Sequence, residues 1–410
     1  MTPSTLRPRA ERLACPDCGL MQVVPALSGR QTAVCRRCDG TLASPARGRI
    51  DAPLALASAA LVLLVPALIW PLMTVSSLGA IRQSWLETCV SALWEQGFSS
   101  LAALVAAFSI VLPCLYLLAL VSVLAVLRFG PGRIGFGVPL GGLFRWVQRA
   151  RPWMMSEVFL VGGFVAYSRI KVVSTIQVDM GGWCLLAASL LFLLALTQLD
   201  ERTVWEGVPV ETDGREGGKT IACTVCDLIV AGTEEGRRCP RCTARLYVRK
   251  PDAIRRTTAL VITGFLLYVP ANVIPVLTTV RLGRADENTI MSGVLELVQN
   301  DLWPLAVIVF SASIILPLLK LFGLTWMLFA TWRRSRRLLL LRTRFYRMID
   351  VVGRWSNIDV FAVSVLIAAL RFGALTEVHA GTGLVAFAAV VILTMVATST
   401  FDTRLMWDAV

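Results

Sequence analysis

Charge is scarce in this 410-residue chain: 16% of its residues are Asp, Glu, Lys or Arg, against 56% that are apolar. Soluble domains carry about a quarter charged residues, so the two or three ordinary soluble domains that the length would allow are excluded. Histidine is scarcer still. His379 stands alone, which removes metal sites built from several imidazoles and leaves a single residue for any Ser/His/Asp triad. There is no G-x-x-x-x-G-K-[ST] phosphate loop and no HExxH motif, so an ATP-driven pump would need a separate subunit. The expectation is a protein that is not an enzyme. The first 50 residues lack the apolar stretch of a secretory leader, and the first membrane helix is expected to serve as its own insertion signal. The glycine-rich GPGRIGFGVPLGG at 130–142 has no strand before it and reads as a flexible loop.

Long apolar runs are what the chain has in abundance, and its mean hydropathy is +0.68. The runs lie near 52–75, 99–127, 156–175, 182–199, 257–280, 302–330, 357–373 and 383–400; roughly 20 residues cross a bilayer core as a helix. Eight spanning helices are expected, as four plus four, because the chain is written twice. Pro66 and Pro71 in VPALIWP match Pro270 and Pro275 in VPANVIP, and Pro113 matches Pro317, at a shift of about 204 residues. Trp153, Glu157 and Arg169 match Trp355, Asp359 and Arg371 at a shift of 202, and Asp200, Arg202 and Trp205 match Asp402, Arg404 and Trp407. Register held from end to end marks an internal duplication. Four crossings per half return the chain to its starting side, so the repeats are parallel.

The net charge of +13, from 40 basic against 27 acidic residues, would point to nucleic acid in a soluble protein. Its distribution says otherwise. Arg128, Arg133, Arg145, Arg149 and Arg151 follow the second helix, and Arg333, Arg334, Arg336, Arg337, Arg342, Arg344 and Arg347 occupy the matching segment. Basic loops face the cytoplasm, which places both termini and both cysteine segments there. The arginines are read as orientation signals and contacts to anionic lipid head groups, with no nucleic-acid partner expected.

Eight of the eleven cysteines form four Cys-x-x-Cys pairs. Cys15, Cys18, Cys35 and Cys38 make one set; Cys223, Cys226, Cys239 and Cys242 make the other. Such spacing brings four thiolates to the corners of a tetrahedron, as in a zinc ribbon. Two structural Zn²⁺ are expected, with iron in a rubredoxin-like site the less favoured alternative and disulfides disfavoured in a reducing compartment. The residue after each second cysteine must let the loop fold back, which Gly19 does best and Asp39, Asp227 and Thr243 less well. Cys89, Cys114 and Cys184 read as packing residues.

Ionisable groups inside spanning helices cost about 2.5 kcal/mol or more each, and are therefore functional candidates. Lys320 lies in IILPLLKLFGL and Asp359 opens DVFAVSVL. Ser313 is seven residues before Lys320, Ser356 three before Asp359, and Thr394 lies in the last helix. If the three helices pack together, Ser313, Lys320, Ser356, Asp359 and Thr394 form one buried polar chain. The first half is an internal control, because Tyr116, Glu157 and Phe192 stand where the second half has Lys320, Asp359 and Thr394. Two readings remain: an ion pair that only locks helices together, or a protonatable switch that biases two helix arrangements. Arg169 and Arg371 are expected to snorkel to the outer boundary, the helix prolines to introduce kinks, and Asn272 to bond a backbone carbonyl.

The duplicated order of ribbon and four helices, with VPANVIP, WSNIDVF and FDTRLMWD, resembles the paraquat-inducible protein A family over nearly the whole chain. The fold expected is an all-α polytopic membrane protein, a tandem duplication of a four-helix unit. Its organisation would be a zinc ribbon over 1–50, four helices over 51–206, a second ribbon over 207–255 and four more helices over 256–410. The resemblance implies an inner-membrane subunit of a bacterial lipid transport system that exchanges phospholipid with a periplasmic tunnel of mammalian-cell-entry (MCE) domains. It also implies proton-coupled function for Ser313, Lys320, Ser356, Asp359 and Thr394. Asn357 departs from the pattern, where a hydrophobe such as methionine is expected. The alternatives are a non-transporting scaffold for the tunnel, or an envelope-stress or redox-responsive membrane protein.

Overall fold

The computed structural model describes residues 11–25, 31–43, 50–77, 80–130, 139–171, 174–210, 220–281, 284–370 and 376–408. Ribbon 1 is two hairpins, β1 (Glu11–Ala14) with β2 (Met21–Val24) and β3 (Ala33–Val34) with β4 (Thr41–Ala43). The first half runs α1 (Asp51–Ile69), β5 (Met73–Ser77), β6 (Ala80–Ser84), α2 (Leu86–Glu95) and α3 (Ser99–Ala106). A π turn (Ala107–Val111) leads into α4 (Leu112–Phe129), followed by α5 (Leu140–Ala150), α6 (Ser156–Lys171), β7 (Thr175–Val178), α7 (Met180–Gln198) and the short α8 (Glu201–Glu206). Ribbon 2 contains β8 (Ile221–Ala222) and β9 (Ile229–Val230).

The second half repeats the order. It has α9 (Ala253–Val273), β10 (Leu277–Arg281), β11 (Arg284–Asn288), α10 (Ile290–Gln299) and α11 (Trp303–Phe310). A second π turn (Ser311–Ile315) joins α11 to α12 (Leu316–Trp332), and α13 (Leu339–Val352) follows. A 3-10 turn (Gly353–Asn357), α14 (Ile358–Ala369), β12 (Thr376–Ala380), α15 (Thr382–Thr400) and the short α16 (Arg404–Trp407) complete it.

A helix stands at each of the eight expected apolar runs, but length and composition single out six among the described residues. These are Asp51–Ile69, Ser99–Phe129, Met180–Gln198, Trp303–Trp332, Leu339–Ala369 and Thr382–Thr400. Of the remaining two, α6 has only 16 residues, and α9 begins with Arg255, Arg256, Thr257 and Thr258, which dilute its apolar content. The expected helices over 52–75 and 257–280 are too long. They stop at Ile69 and Val273 because Pro71 and Pro275 follow: the residue before a proline is barred from helical backbone, and Trp70 and Ile274 are both extended.

Beyond those stops lie strands absent from the sequence reading. Each half builds a three-stranded antiparallel sheet at the end away from the ribbons, ordered β6-β5-β7 in one and β11-β10-β12 in the other. In the pairing, Met73 faces both Ser84 and Val178, and Leu277 faces both Asn288 and Ala380. The third strand returns the chain to the top of the last helix, so α7 packs along α1 and α15 along α9. The close approach rests on matched glycines: a Cβ at Gly181 would lie 2.3 Å from Trp70 O, and one at Gly383 would lie 2.3 Å from Ile274 O. Gly383→Ala is therefore expected to destabilise the protein by about 1–3 kcal/mol, the cost of overpacking against atoms that cannot retreat. Thermal unfolding in detergent should show it, while Gly163→Ala, where nothing lies within 4 Å, should leave the melting temperature unchanged.

The halves meet through α6 and α14. Phe159 and Phe361, matching residues of the repeat, stack edge to face with centroids 5.5 Å apart. Matching residues thus face each other across the seam, as an approximate two-fold axis between the halves would place them. Burial in this seam lets α6 and α14 be short. The ribbons are exchanged across the same axis. Ribbon 1 docks on the second half, where Arg347 Nε donates to Asp17 at 2.9 Å, Arg344 pairs with Asp39 at 3.0 Å, and Arg37 donates to Trp407 O at 3.0 Å. Its cysteines share a core with Leu321, Met327, Phe401 and Trp407. Ribbon 2 docks on the first half, its cysteines packed in one core with Phe144, Val147 and Trp205.

Candidate functional site

The four sulfurs of each set lie within 4.8 Å of one another and are fully buried. Cys15 and Cys38 are 3.4 Å apart, Cys18 and Cys35 3.6 Å, Cys223 and Cys242 3.5 Å, and Cys226 and Cys239 3.6 Å. These separations are too long for a disulfide and near the roughly 3.8 Å of a tetrahedral shell with metal–sulfur bonds of ~2.3 Å. The chain folds back as the sequence requires: Gly19, Asp39, Asp227 and Thr243 all take positive φ, at 74°, 54°, 56° and 59°. Burial opposes ionisation of Cys35, but the amides of Arg37 and Cys38 and the Gln22 side chain outweigh it and bring that thiol down to about 7. Burial and then Cys15 push Cys38 up to about 12. Four such thiols ionise together only around a cation, so both clusters fit a metal ion held by sulfur alone.

The polar residues of the second half sit where its second helix is distorted. Pro317 has no N–H, and its ring crowds the carbonyl four residues back, at Ser313. The π turn Ser311–Ile315 immediately before it widens the helix to accommodate this. Lys320 emerges one turn later, 2% exposed. Its Nζ donates to Gly353 O at 2.5 Å and to Thr394 Oγ1 at 3.4 Å, while Thr394 donates to Val391 O at 2.9 Å. Glycine at 353 leaves room for the lysine, since a Cβ there would lie 2.6 Å from Lys320 Cε and displace the amine; nothing in the sequence singled it out.

Of the five predicted residues, Lys320 and Thr394 are in contact. Ser313 and Ser356 are completely buried, in the π turn and the 3-10 turn, which pack against each other. Ser356 Oγ has no partner among the described residues. The Asp359 side chain lies outside the described residues, as does Arg371, so the expected Lys320–Asp359 pair is not described. The first half makes the contrast physical: Tyr116 and Phe192, matching Lys320 and Thr394, form an edge-to-face aromatic pair with centroids 5.5 Å apart. Asn357, the residue that departs from the family pattern, is buried and directs its amide to Met155 Sδ at 2.8 Å. Asn272 does bond a backbone carbonyl, that of Tyr268, at 2.8 Å.

Arg169 does not snorkel away. It reaches across the seam and donates to Gly293 O at 3.3 Å, leaving its Nε buried with no partner among the described residues. There it lines a cavity of about 150 Å³ at the end away from the ribbons, between the halves. The walls are mainly apolar, from residues such as Leu366, Leu370, Leu384 and Phe387, with Thr279, Asn288, Thr289, Glu296 and Asn300 joining Arg169 as polar groups. The sequence signal for Arg169 was its place in the repeat; a helix-end arginine beside open lipid would look the same.

The sequence profile described as "Paraquat-inducible protein A" matches residues 50–208 and again 254–410. The chain belongs to the paraquat-inducible protein A family. Within the family it is 31% identical to the "Intermembrane transport protein PqiA" of Escherichia coli (strain K12), over 97% of this chain and 96% of that protein. It is 28% identical to the "Lipophilic envelope-spanning tunnel protein A" of the same organism, over 98% and 92%. A "Probable intermembrane transport protein" of Haemophilus influenzae is 25% identical over 96% and 95%. No solved structure matches.

Proposed function

We propose that this chain is the inner-membrane subunit of an MCE-type lipid transport system, passing phospholipid between the inner membrane and a periplasmic tunnel protein. It performs no covalent chemistry of its own. The observation that carries this reading is the cavity between the halves: apolar walls, with the Arg169 guanidinium, whose Nε has no partner among the described residues, and the Glu296 carboxylate among their polar groups, suit a phosphate-bearing head group whose acyl chains remain outside. Its volume of about 150 Å³ is smaller than the roughly 300–1,000 Å³ of sites that enclose a whole ligand, so a head group passes through it while the chains follow along the protein. The names of the relatives agree with transport between membranes. The arginine-rich segments at the ribbon end favour a cytoplasmic position for the ribbons and both termini, with the two sheets in the periplasm. Two structural Zn²⁺ fill the cysteine sets, and the Lys320 network couples transport to protons.

A photoactivatable phospholipid in reconstituted vesicles tests the cavity. Native protein should cross-link on α10 or α14; Arg169→Ala should lower that yield about tenfold, the loss of a charge-assisted contact to phosphate, and Arg169→Lys should recover part of it. Equal labelling of native protein and Arg169→Ala would leave the transport reading without its site and favour a scaffold.

A further inference from the structure

A second cavity, of about 570 Å³, opens at the ribbon end where α5, ribbon 2 and the segments beside α9 and α15 converge. Six basic residues line it: Arg145, Arg149, Arg238, Arg245, Lys250 and Arg404, with no acid among the lining residues. Two of these charges are already satisfied. Arg404 bonds Asp402 at 2.9 and 2.8 Å, and Lys250 donates to the carbonyls of Ser399 and Phe401 at 2.8 and 3.1 Å. The other four, Arg145, Arg149, Arg238 and Arg245, have no ion-pair partner among the described residues.

The cluster is held together against its own repulsion. Arg238 and Arg245 form an isolated antiparallel bridge, which sets two like charges directly opposite, an arrangement that destabilises a strand pair. Docking of ribbon 2 on α5 then brings this pair up to Arg145 and Arg149. Gly141, on α5, is where the two meet: a Cβ there would lie 1.9 Å from Arg241 O. The mutual repulsion of four guanidiniums that have no ion-pair partner among the described residues is offset by an anion in the hollow they surround.

We infer that this cavity is a binding site for a multivalent phosphate. Guanidiniums present forked donors that match phosphate oxygens two at a time, and the volume exceeds that of a simple halide or a single phosphate. The position favours a lipid source. Lys250 lies three residues before α9 begins at Ala253, and Arg404 lies four beyond the end of α15 at Thr400, so the hollow sits level with the head groups of the ribbon-side leaflet. Basic pockets at the ends of membrane helices take anionic head groups. A soluble polyphosphate offers the same chemistry. The site is distinct from the cavity at Arg169, at the opposite end of the helices, and does not depend on it.

The test uses full-length, metal-loaded protein and two probes: cardiolipin in nanodiscs, read as lipid retained in native mass spectra, and inorganic pyrophosphate, read by titration calorimetry. Arg145→Gln with Arg238→Gln should weaken binding of at least one probe about tenfold or more, while Arg333→Gln, outside the cavity, should change neither. Loss confined to cardiolipin assigns the lipid source; loss of pyrophosphate binding assigns a soluble one. Metal content equal to native shows that ribbon 2 is intact, and if the double variant loses metal, Arg149→Gln on α5 serves in its place. Native protein that binds neither probe, or variants that bind both as native does, overturns the assignment.

Discussion

Lys320→Met is expected to lower transport by two orders of magnitude or more, on the order of a lost proton-transfer group, while leaving the protein about as stable as before. The two effects differ in size because they arise from different terms. Among the described residues Lys320, 2% exposed, donates to a carbonyl 2.5 Å away and a hydroxyl 3.4 Å away and lies in the field of the Asp350 carboxylate. Taking an ammonium out of water costs several kcal/mol, which such partners only partly return. Methionine has nearly the same volume and no charge, so the lost desolvation cost and the lost attraction to Asp350 should roughly offset each other. If the amine relays or gates protons, its removal should lower transport by about 10²-fold or more, the scale on which a positioned proton-transfer group acts. Lipid transfer from reconstituted vesicles and thermal unfolding of the same preparations would measure both. A fully active, stable variant would mean that the amine has no part in coupling. Thr394→Val, which removes the hydroxyl but keeps the shape, should give the same loss to a smaller degree, whereas Tyr116→Phe in the first half should leave transport unchanged.

Cys18→Ser is expected to loosen the opposite end of the chain from the helices that follow it. Each cysteine set fits one metal ion, and metal-coupled folding of a structural zinc site is worth about 10–16 kcal/mol, so one ligand lost should cost the ion and the ribbon. Ribbon 1 rests on α13 and α16. Hydrogen exchange should therefore quicken around 339–352 and 404–407, with α1 protected as before. Cys239→Ser should instead release α5 and α8, since ribbon 2 packs with Phe144, Val147 and Trp205. Metal analysis should fall from about two ions per chain to one in each variant. Faster exchange in the helix that follows each ribbon, α1 or α9, or an unchanged metal content, would contradict the exchange of ribbons or the four-sulfur sites.

The duplication, the helices and both sulfur clusters were legible because each is written in local pattern: apolar runs, a proline register and fixed cysteine spacing. The far-end sheets were not. TVSS and TTVR are short, and they continue apolar helices whose hydrophobicity hides the change of backbone at Trp70 and Ile274. Pro71 and Pro275 were the available signal, read as kinks when they are stops. Lys320 and Thr394 stood out because an ionisable residue in a spanning run is costly, and they do meet. Gly353 and Arg169 went unrecognised as site residues because their roles come from neighbours 33 and 124 residues away in the chain, which no periodicity encodes.

The exchange of ribbons has a bearing on where such a chain comes from. One repeat with its own ribbon is incomplete: its α6 would face water or lipid along the seam, and its ribbon would hang over a helix that belongs to another copy. Two copies related by a two-fold axis, each lending its ribbon to the other, satisfy both needs, which is the geometry of a swapped homodimer. Joining them end to end turns the lent ribbon into a tether within one molecule. It also frees the two copies to differ, so that an aromatic pair can persist on one side while a lysine takes its place on the other.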